Sequence, residues 1–318
     1  MKDSCIVHNY LFDGQGGGRE VGDDYPQDGN LILWTHIEYK HPQAVSWLES
    51  QGLDPLVAET LTRVESRPRA LSIDNGIIII LRAINLNPGE DVEDMVSLRI
   101  WISGNRIITL RQRRVVSIQD VRQALDKDMG PSTGGEFLVM VVERIADRIG
   151  ETIDDIEEKL SVYEDTAENN DSSIRGRVGA MRRKTAAIRR FLAPQREALD
   201  AVHRLSKDLL NESEMYCLRD QTDRMTRYVE ELDLARERTL VLQEDIMNRI
   251  AQEQNSRTYL FSIVATIFLP LSFLTGVFGM NVAGLPGTED GQAFLYLSCS
   301  MLGIAIGLII YMRLRRWL

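Results

Sequence analysis

From Tyr259 to Met280 the chain runs 22 residues without a charge, and from Ala293 to Met312 another 20. At 1.5 Å per residue a helix over the first run is about 33 Å long, enough to cross the hydrocarbon core of a bilayer. The two runs predict two C-terminal membrane helices. The loop VAGLPGTEDGQ separates them and the basic segment RLRRWL follows the second. The chain before them mixes polar and apolar positions as a water-facing domain does.

In that domain LILWTHI (Leu31 to Ile37) reads as a strand. HPQAVSWLESQG and DPLVAETLTRV read as two short helices, the second with Asp54 as N-cap and Pro55 as first helical residue. ALSI and IIIILRAINL across the turn DNG, then MVSLRIWIS and RIITLRQR across Gly-Asn, predict four strands in two hairpins. Strands mixed with helices predict an α/β fold ending near Pro131, with GPSTGG as a linker. From Phe137 the period turns helical: Phe137, Val141, Ile145, Ile149, Ile153 and Ile156 share one face. Residues 151–171 hold nine acidic side chains and one lysine, and residues 172–190 hold seven basic ones and no acid. This predicts a helical hairpin whose arms pair by charge; part of the acidic arm is also a candidate cation reservoir. Pro194 is expected to kink or break the second arm.

A third helical stretch starts near Glu212 and meets no Pro or Gly until Pro270. Unbroken to Met280 it has 69 residues, about 100 Å. A helix of that length needs identical neighbours or it protrudes into solvent. The expected order is a mobile tail over 1–29, within which Tyr10-Leu11-Phe12 is a candidate edge strand, an α/β domain over 30–135 and a helical hairpin over 136–211. A stalk helix over 212–257, membrane helices over 258–281 and 293–312, a loop over 282–292 and a basic tail over 313–318 complete it.

In steps of three and four, Asn255, Thr258, Ser262, Ala265, Leu269, Ser272 and Gly276 fall on one stripe, small or polar except at Leu269. Two readings stand. Small residues let membrane helices approach closely. Alternatively, several copies turn this stripe toward a shared axis as a pore wall, which a repeat near 3.5 residues permits. Pro270 lies mid-span, where neighbouring helices tolerate a kink. Carried backwards by sevens, the stripe reaches Glu244, Glu237 and Glu230. They make either a solvated face or, in a homo-oligomer, stacked rings of carboxylates. Gly303-x3-Gly307 in the second run is a close-packing motif, so that helix is expected to pack outside the first.

The net charge of −10 disfavours a nucleic-acid partner and suits a surface that gathers cations. Cys5, Cys217 and Cys299 are too scattered for a disulfide framework, and the N-terminus does not read as a signal peptide. A tight zinc site wants Cys, His or carboxylate ligands at short spacing. The histidines His8, His36, His41 and His203 give none, and the membrane stripe has none of these ligand types. Passage of a hydrated ion, recognised through its water by amide, hydroxyl and carbonyl oxygens, fits better. No phosphate-binding glycine loop is present, which disfavours nucleotide-driven pumping, and no constellation suggests an enzyme. Arg249 and Arg257 before the first run, with Arg313, Arg315 and Arg316 after the second, predict that both termini are cytoplasmic. The loop with Glu289 and Asp290 is then periplasmic and concentrates cations. The terminal arginines encircle the inner mouth or anchor at headgroups.

FGMN closing the first run, before a short loop and a last span with a basic tail, resembles the GMN signature of the CorA superfamily of divalent-cation transporters. ATIFLPLSFLTGVFGMNVAGLPG resembles its ZntB zinc-transporter branch, as do RPR (67–69), LRAINLNPGEDVEDMVSLRIW (81–101) and RRFLAPQRE (189–197). The resemblance covers nearly all of the chain after about residue 30. It implies a funnel-shaped homopentamer in the inner membrane. It also implies that Gly279, Met280 and Asn281 form the outer selectivity ring, with Asn281 meeting the metal through water. Zinc is the expected cargo, with magnesium, cobalt, nickel and cadmium as further candidates, no bound cofactor, and uptake coupled to protons or driven by the gradient alone. A magnesium channel of the CorA type, and more remotely a non-transporting scaffold or sensor, are the alternatives.

Overall fold

The structure, a computed structural model, describes residues 4–25, 29–64, 67–73, 75–167, 173–206, 209–280, 285, 287 and 291–315. It divides into two compact units, Met1–Gln243 and Glu244–Leu318. The first unit begins with strands β1 (Ile6–Phe12), β2 (Gly18–Glu20) and β3 (Leu33–Glu38), then helices α1 (Ala44–Ser50) and α2 (Pro55–Thr62). Strands β4 (Arg69–Ile73), β5 (Gly76–Ala83), β6 (Val96–Ser103) and β7 (Arg106–Arg111) follow, then helix α3 (Val116–Leu125). Helices α4 (Gly134–Ala167) and α5 (Ile174–Leu205) come next, and α6 (Glu212–Phe278) starts in this unit. The second unit holds the rest of α6 and α7 (Ala293–Leu314).

The seven strands form one sheet in the order β2-β1-β3-β7-β6-β5-β4. Only β3 and β7 pair in parallel. Ile77 to Leu81 on β5 are all buried, a continuous apolar run that requires cover on both faces of the sheet. On one face Ile78, Ile80, Ile108 and Leu110 pack with Leu48 of α1 and Val57, Ala58 and Leu61 of α2. Asp54 caps α2 by accepting from the Leu56 N–H at 2.7 Å. On the other face Trp34 meets Phe137 of α4 with ring centroids 5.0 Å apart.

Residues 6–20 are not the expected mobile tail. β1 lies inside the sheet, paired with β3 on one side and β2 on the other. The polar run His8-Asn9 and the glycines of residues 14–18 hide this in the sequence. His8 is buried against the His36 ring, 4.9 Å away, and Gly16, at φ +97°, turns the chain from β1 into β2.

The His36 imidazole is fully buried, with Nδ1 2.8 Å from Thr109 Oγ1, which also accepts from Trp34 Nε1 at 2.7 Å. Burial, then His8 beside it, then Arg111 push its pKa well below the usual histidine value. The folded protein therefore keeps His36 neutral, while the unfolded chain takes up the proton below about pH 6.5. The stability is present above that pH and is lost as the pH falls through it. Thermal unfolding at pH 7.5 and 5.5 is expected to show this loss, with a smaller difference in His36→Gln; an equal difference in the variant would refute it.

Pro194 neither ends nor breaks α5, which continues for eleven residues beyond it to Leu205. The next residue, Gln195, accepts from the Arg82 backbone N–H at 2.6 Å. β4 pairs with β5 only as far as Ile80, so past its end this glutamine supplies the acceptor that the ladder lacks. The charged arms also pair differently from expectation. Among the described residues, Asp155–Lys184 at 3.4 Å is the ion pair between α4 and α5. Asp147 and Glu164 of α4 instead reach Arg224 and Arg238 of α6 at 2.9 and 2.6 Å, and Arg189 of α5 pairs with Asp233 of α6. α6 carries both signs and packs its buried side chains toward this pair of helices, so it completes what reads in sequence as a two-helix charge match.

Candidate functional site

α6 runs 67 residues through Pro270 without interruption. Its last part and α7 are each long and apolar enough to cross a membrane, with mean hydropathies of 2.1 and 2.2. In the apolar last part of α6 the half-buried positions are Ile263, Ile267, Pro270, Leu271, Leu274 and Val277. All seven stripe residues, Asn255, Thr258, Ser262, Ala265, Leu269, Ser272 and Gly276, are exposed. At 100° per residue the stripe lies roughly 150° round the helix from the half-buried face. The chain thus half-buries one face of this part of α6 and leaves the polar stripe on the opposite side.

The hydroxyls near this stripe are tied to the helix. Thr258 Oγ1 donates to Gln254 O at 2.9 Å, and Thr266 Oγ1 donates to Ser262 O at 2.7 Å. A hydroxyl that spends its proton on its own helix turns its oxygen lone pairs outward. At Thr258 this presents an acceptor, suited to the waters around a cation. The α6 exit is tight: Gly279 N donates to Thr275 O at 2.8 Å, and a Cβ at Gly279 would lie 2.7 Å from the same oxygen. Glycine is therefore required there for close backbone approach. Met280 is half exposed. Asn281, Glu289, Asp290 and Arg316 lie outside the described residues. Arg313 and Arg315 are exposed at the end of α7. Among the described residues Gly303 and Gly307 of α7 have nothing within 4 Å of an added Cβ.

Further back on α6, Met225, Leu232, Thr239 and Ile246 are buried at heptad spacing. Glu230, Glu237 and Glu244 are exposed, about 140° round the helix from that seam. They occupy one exposed face of the helix. Sequence spacing overlooked Glu231, whose carboxyl is raised by burial first, then by Glu157 and Asp154 of α4. The signal was present in the acidic run of 151–171; the neighbour that meets it was not. Among the described residues no group of three or more His, Cys, Asp or Glu side chains is arranged to hold a metal ion. The arrangement offers oxygen dipoles along one exposed helix face, with carboxylates at intervals on the same helix.

The family described as "CorA-like Mg2+ transporter protein" matches residues 29–316. The chain is 31% identical to "Zinc transport protein ZntB" of Yersinia enterocolitica over 100% of its own length and 98% of that protein's. It is 35% identical to "Divalent cation transporter CmaX" of Pseudomonas aeruginosa, covering 94% and 92% of the two chains. The solved structure of full-length CmaX superimposes with a TM-score of 0.86 at 33% identity, covering 98% of each chain. With an α/β domain, one long helix and two apolar C-terminal helices that superimpose on that structure over 98% of each chain, and a family match over residues 29–316, the chain belongs to the CorA-like family of transporters.

Proposed function

We propose that this protein carries divalent metal cations, zinc foremost, across the inner membrane as a homo-oligomer. The observation that carries this reading is the exposed stripe from Asn255 to Gly276, set opposite the face that α6 half-buries within its own chain. One helix cannot enclose a path, so copies must surround it; five is the number that the likeness to the CorA superfamily implies. In such an assembly Asn255, Thr258, Ser262, Ala265, Leu269, Ser272 and Gly276 line the conduit. Asn281, with Gly279 and Met280 shaping the turn, meets the hydrated ion at the outer mouth. Glu289 and Asp290 raise the local cation concentration there. Glu230, Glu237 and Glu244 form carboxylate rings along the stalk. The basic flanks, Arg249 and Arg257 before the path and Arg313, Arg315 and Arg316 after it, put both termini in the cytoplasm.

Zinc as the cargo is supported by the name of the Yersinia relative and by the broader divalent-cation name of the Pseudomonas one. The stripe has no soft ligand, so the ion travels with part of its water. Any proton coupling must then act through water or through groups outside the span, because the stripe carries no carboxylate or imidazole. A magnesium channel is the second reading, favoured by that same absence of nitrogen and sulfur ligands. Zinc uptake into proteoliposomes, with and without an inward proton gradient and with magnesium as competitor, separates them. Flux that rises severalfold with the gradient and survives excess magnesium is the expected result. Flux indifferent to the gradient and dominated by magnesium selects the channel, and no flux of either ion overturns transport.

A further inference from the structure

Residues 151–171 hold nine acidic side chains, and the fold spends few of them. In α4, Asp155 meets Lys159 and Lys184, and Glu164 meets Arg238. Glu151, Asp154, Glu158 and Asp165 are exposed, and among the described residues they form no ion pair. At 100° per residue these four fall within about 60° of arc, roughly 160° round α4 from the buried Ile149, Ile153, Ile156 and Leu160. They form one acidic ridge on the outside of the helix.

α5 carries the opposite sign. Arg175, Arg183 and Arg190 are exposed. They fall within about 80° of arc, roughly 150° round α5 from the buried Val178, Met181, Thr185, Ile188 and Leu192. Among the described residues Arg175 and Arg183 form no ion pair, and Arg190 lies over the ring of its neighbour Phe191, 5.7 Å from the centroid. Gly179 and Ala186 occupy the same face between the arginines, so no bulky side chain holds a facing helix away. The face turns acidic only at Glu197.

The two ridges match in length: residues 151–165 rise about 21 Å and residues 175–190 about 22 Å. Each lies opposite the face that its own helix buries, so neither is spent within the chain. Two different, complementary ridges on one chain are what a head-to-tail contact between copies needs, and such a contact can close into a ring. We infer that the acidic ridge of α4 on one copy docks against the basic ridge of α5 on the next. This rests on the homo-oligomer reading above and adds to it the surface that joins the cytoplasmic units. Exposed ion pairs add little affinity each, but like charges brought together are penalised, so the ridges fix the register and order of the copies.

The test places a reporter in each ridge without touching its charges: Val162→Cys among the acids and Ala186→Cys among the arginines, both exposed, with Cys217→Ser and Cys299→Ser removing the other exposed thiols. Asp155 and Lys184 are level in the hairpin, so within one chain the two reporters lie about 13 Å apart along its axis. A bismaleimide shorter than that is added to the full-length protein in detergent, with chelator present so that no cation bridges two acids. A ladder of covalent oligomers is expected with both reporters and none with Val162→Cys alone, because a head-to-tail contact never brings a ridge to its own copy. Adding Glu158→Arg or Arg183→Glu should cut the ladder at least fivefold, and adding both should restore it; thermal unfolding should not change, since both positions are exposed and unpaired. An oligomer by light scattering that gives no ladder, or a ladder indifferent to the charge reversals, overturns the contact and leaves the oligomer standing. A monomer by light scattering overturns the oligomer reading and the contact together.

Discussion

Replacing Asn281 with alanine is expected to lower zinc uptake by the reconstituted protein at least tenfold while leaving its thermal unfolding unchanged. An ion that keeps its inner water is recognised by acceptors for those water protons, and the side-chain amide oxygen is one. Alanine has none. In the proposed assembly the loss recurs in every subunit around the mouth, so even a net contribution of about 1 kcal/mol for each hydrogen bond accumulates to more than a factor of ten. The backbone turn is set beside it by Gly279, packed against Thr275 O, so removing the amide need not disturb the helix end. Undiminished uptake in the variant would remove Asn281 from the conduit.

Trp34→Ala is expected to destabilise the N-terminal unit by about 3–5 kcal/mol, the usual cost of emptying a buried tryptophan site. Trp34 is fully buried and lies against Phe137 of α4, which it joins to β3. Its Nε1 also satisfies Thr109 in the polar cluster with His36. The substitution therefore opens a cavity and removes a buried hydrogen bond together. Denaturant titration should show the drop in unfolding midpoint, and Trp34→Phe, which restores most of the volume but no N–H, should recover only part of it. A loss below about 1 kcal/mol in the alanine variant, typical of a surface site, would refute the assignment of this contact as the anchor of α4.

These effects sit at opposite ends of what was legible in the chain. The apolar runs of 259–280 and 293–312, the Gly-Asn hairpin of β6 and β7, and the Asp54-Pro55 start of α2 were readable because each depends on near neighbours: length without charge, a turn dipeptide, a cap. The stripe on α6 was readable because a helix maps sequence spacing directly onto a face. β1 was readable only as a candidate edge strand at Tyr10-Leu11-Phe12, since its burial inside the sheet depends on His8 finding His36 on β3, twenty-eight positions later. The break that local sterics allow at Pro194 does not occur, because packing of Leu192, Gln195 and Leu199 holds α5 together through it.

The sequence by itself determined the two membrane helices, the mixed strands and helices before them, and the oxygen-bearing stripe, for all are periodic or local properties of the chain. Only the tertiary structure decided which face of α6 stays open, that the acids of α4 meet arginines of α6, and that segments 81–101 and 189–197 meet at Arg82. Those outcomes depend on which distant surfaces bury one another. No spacing within a single segment encodes such a pairing, because it is set by the competition of all the faces for cover.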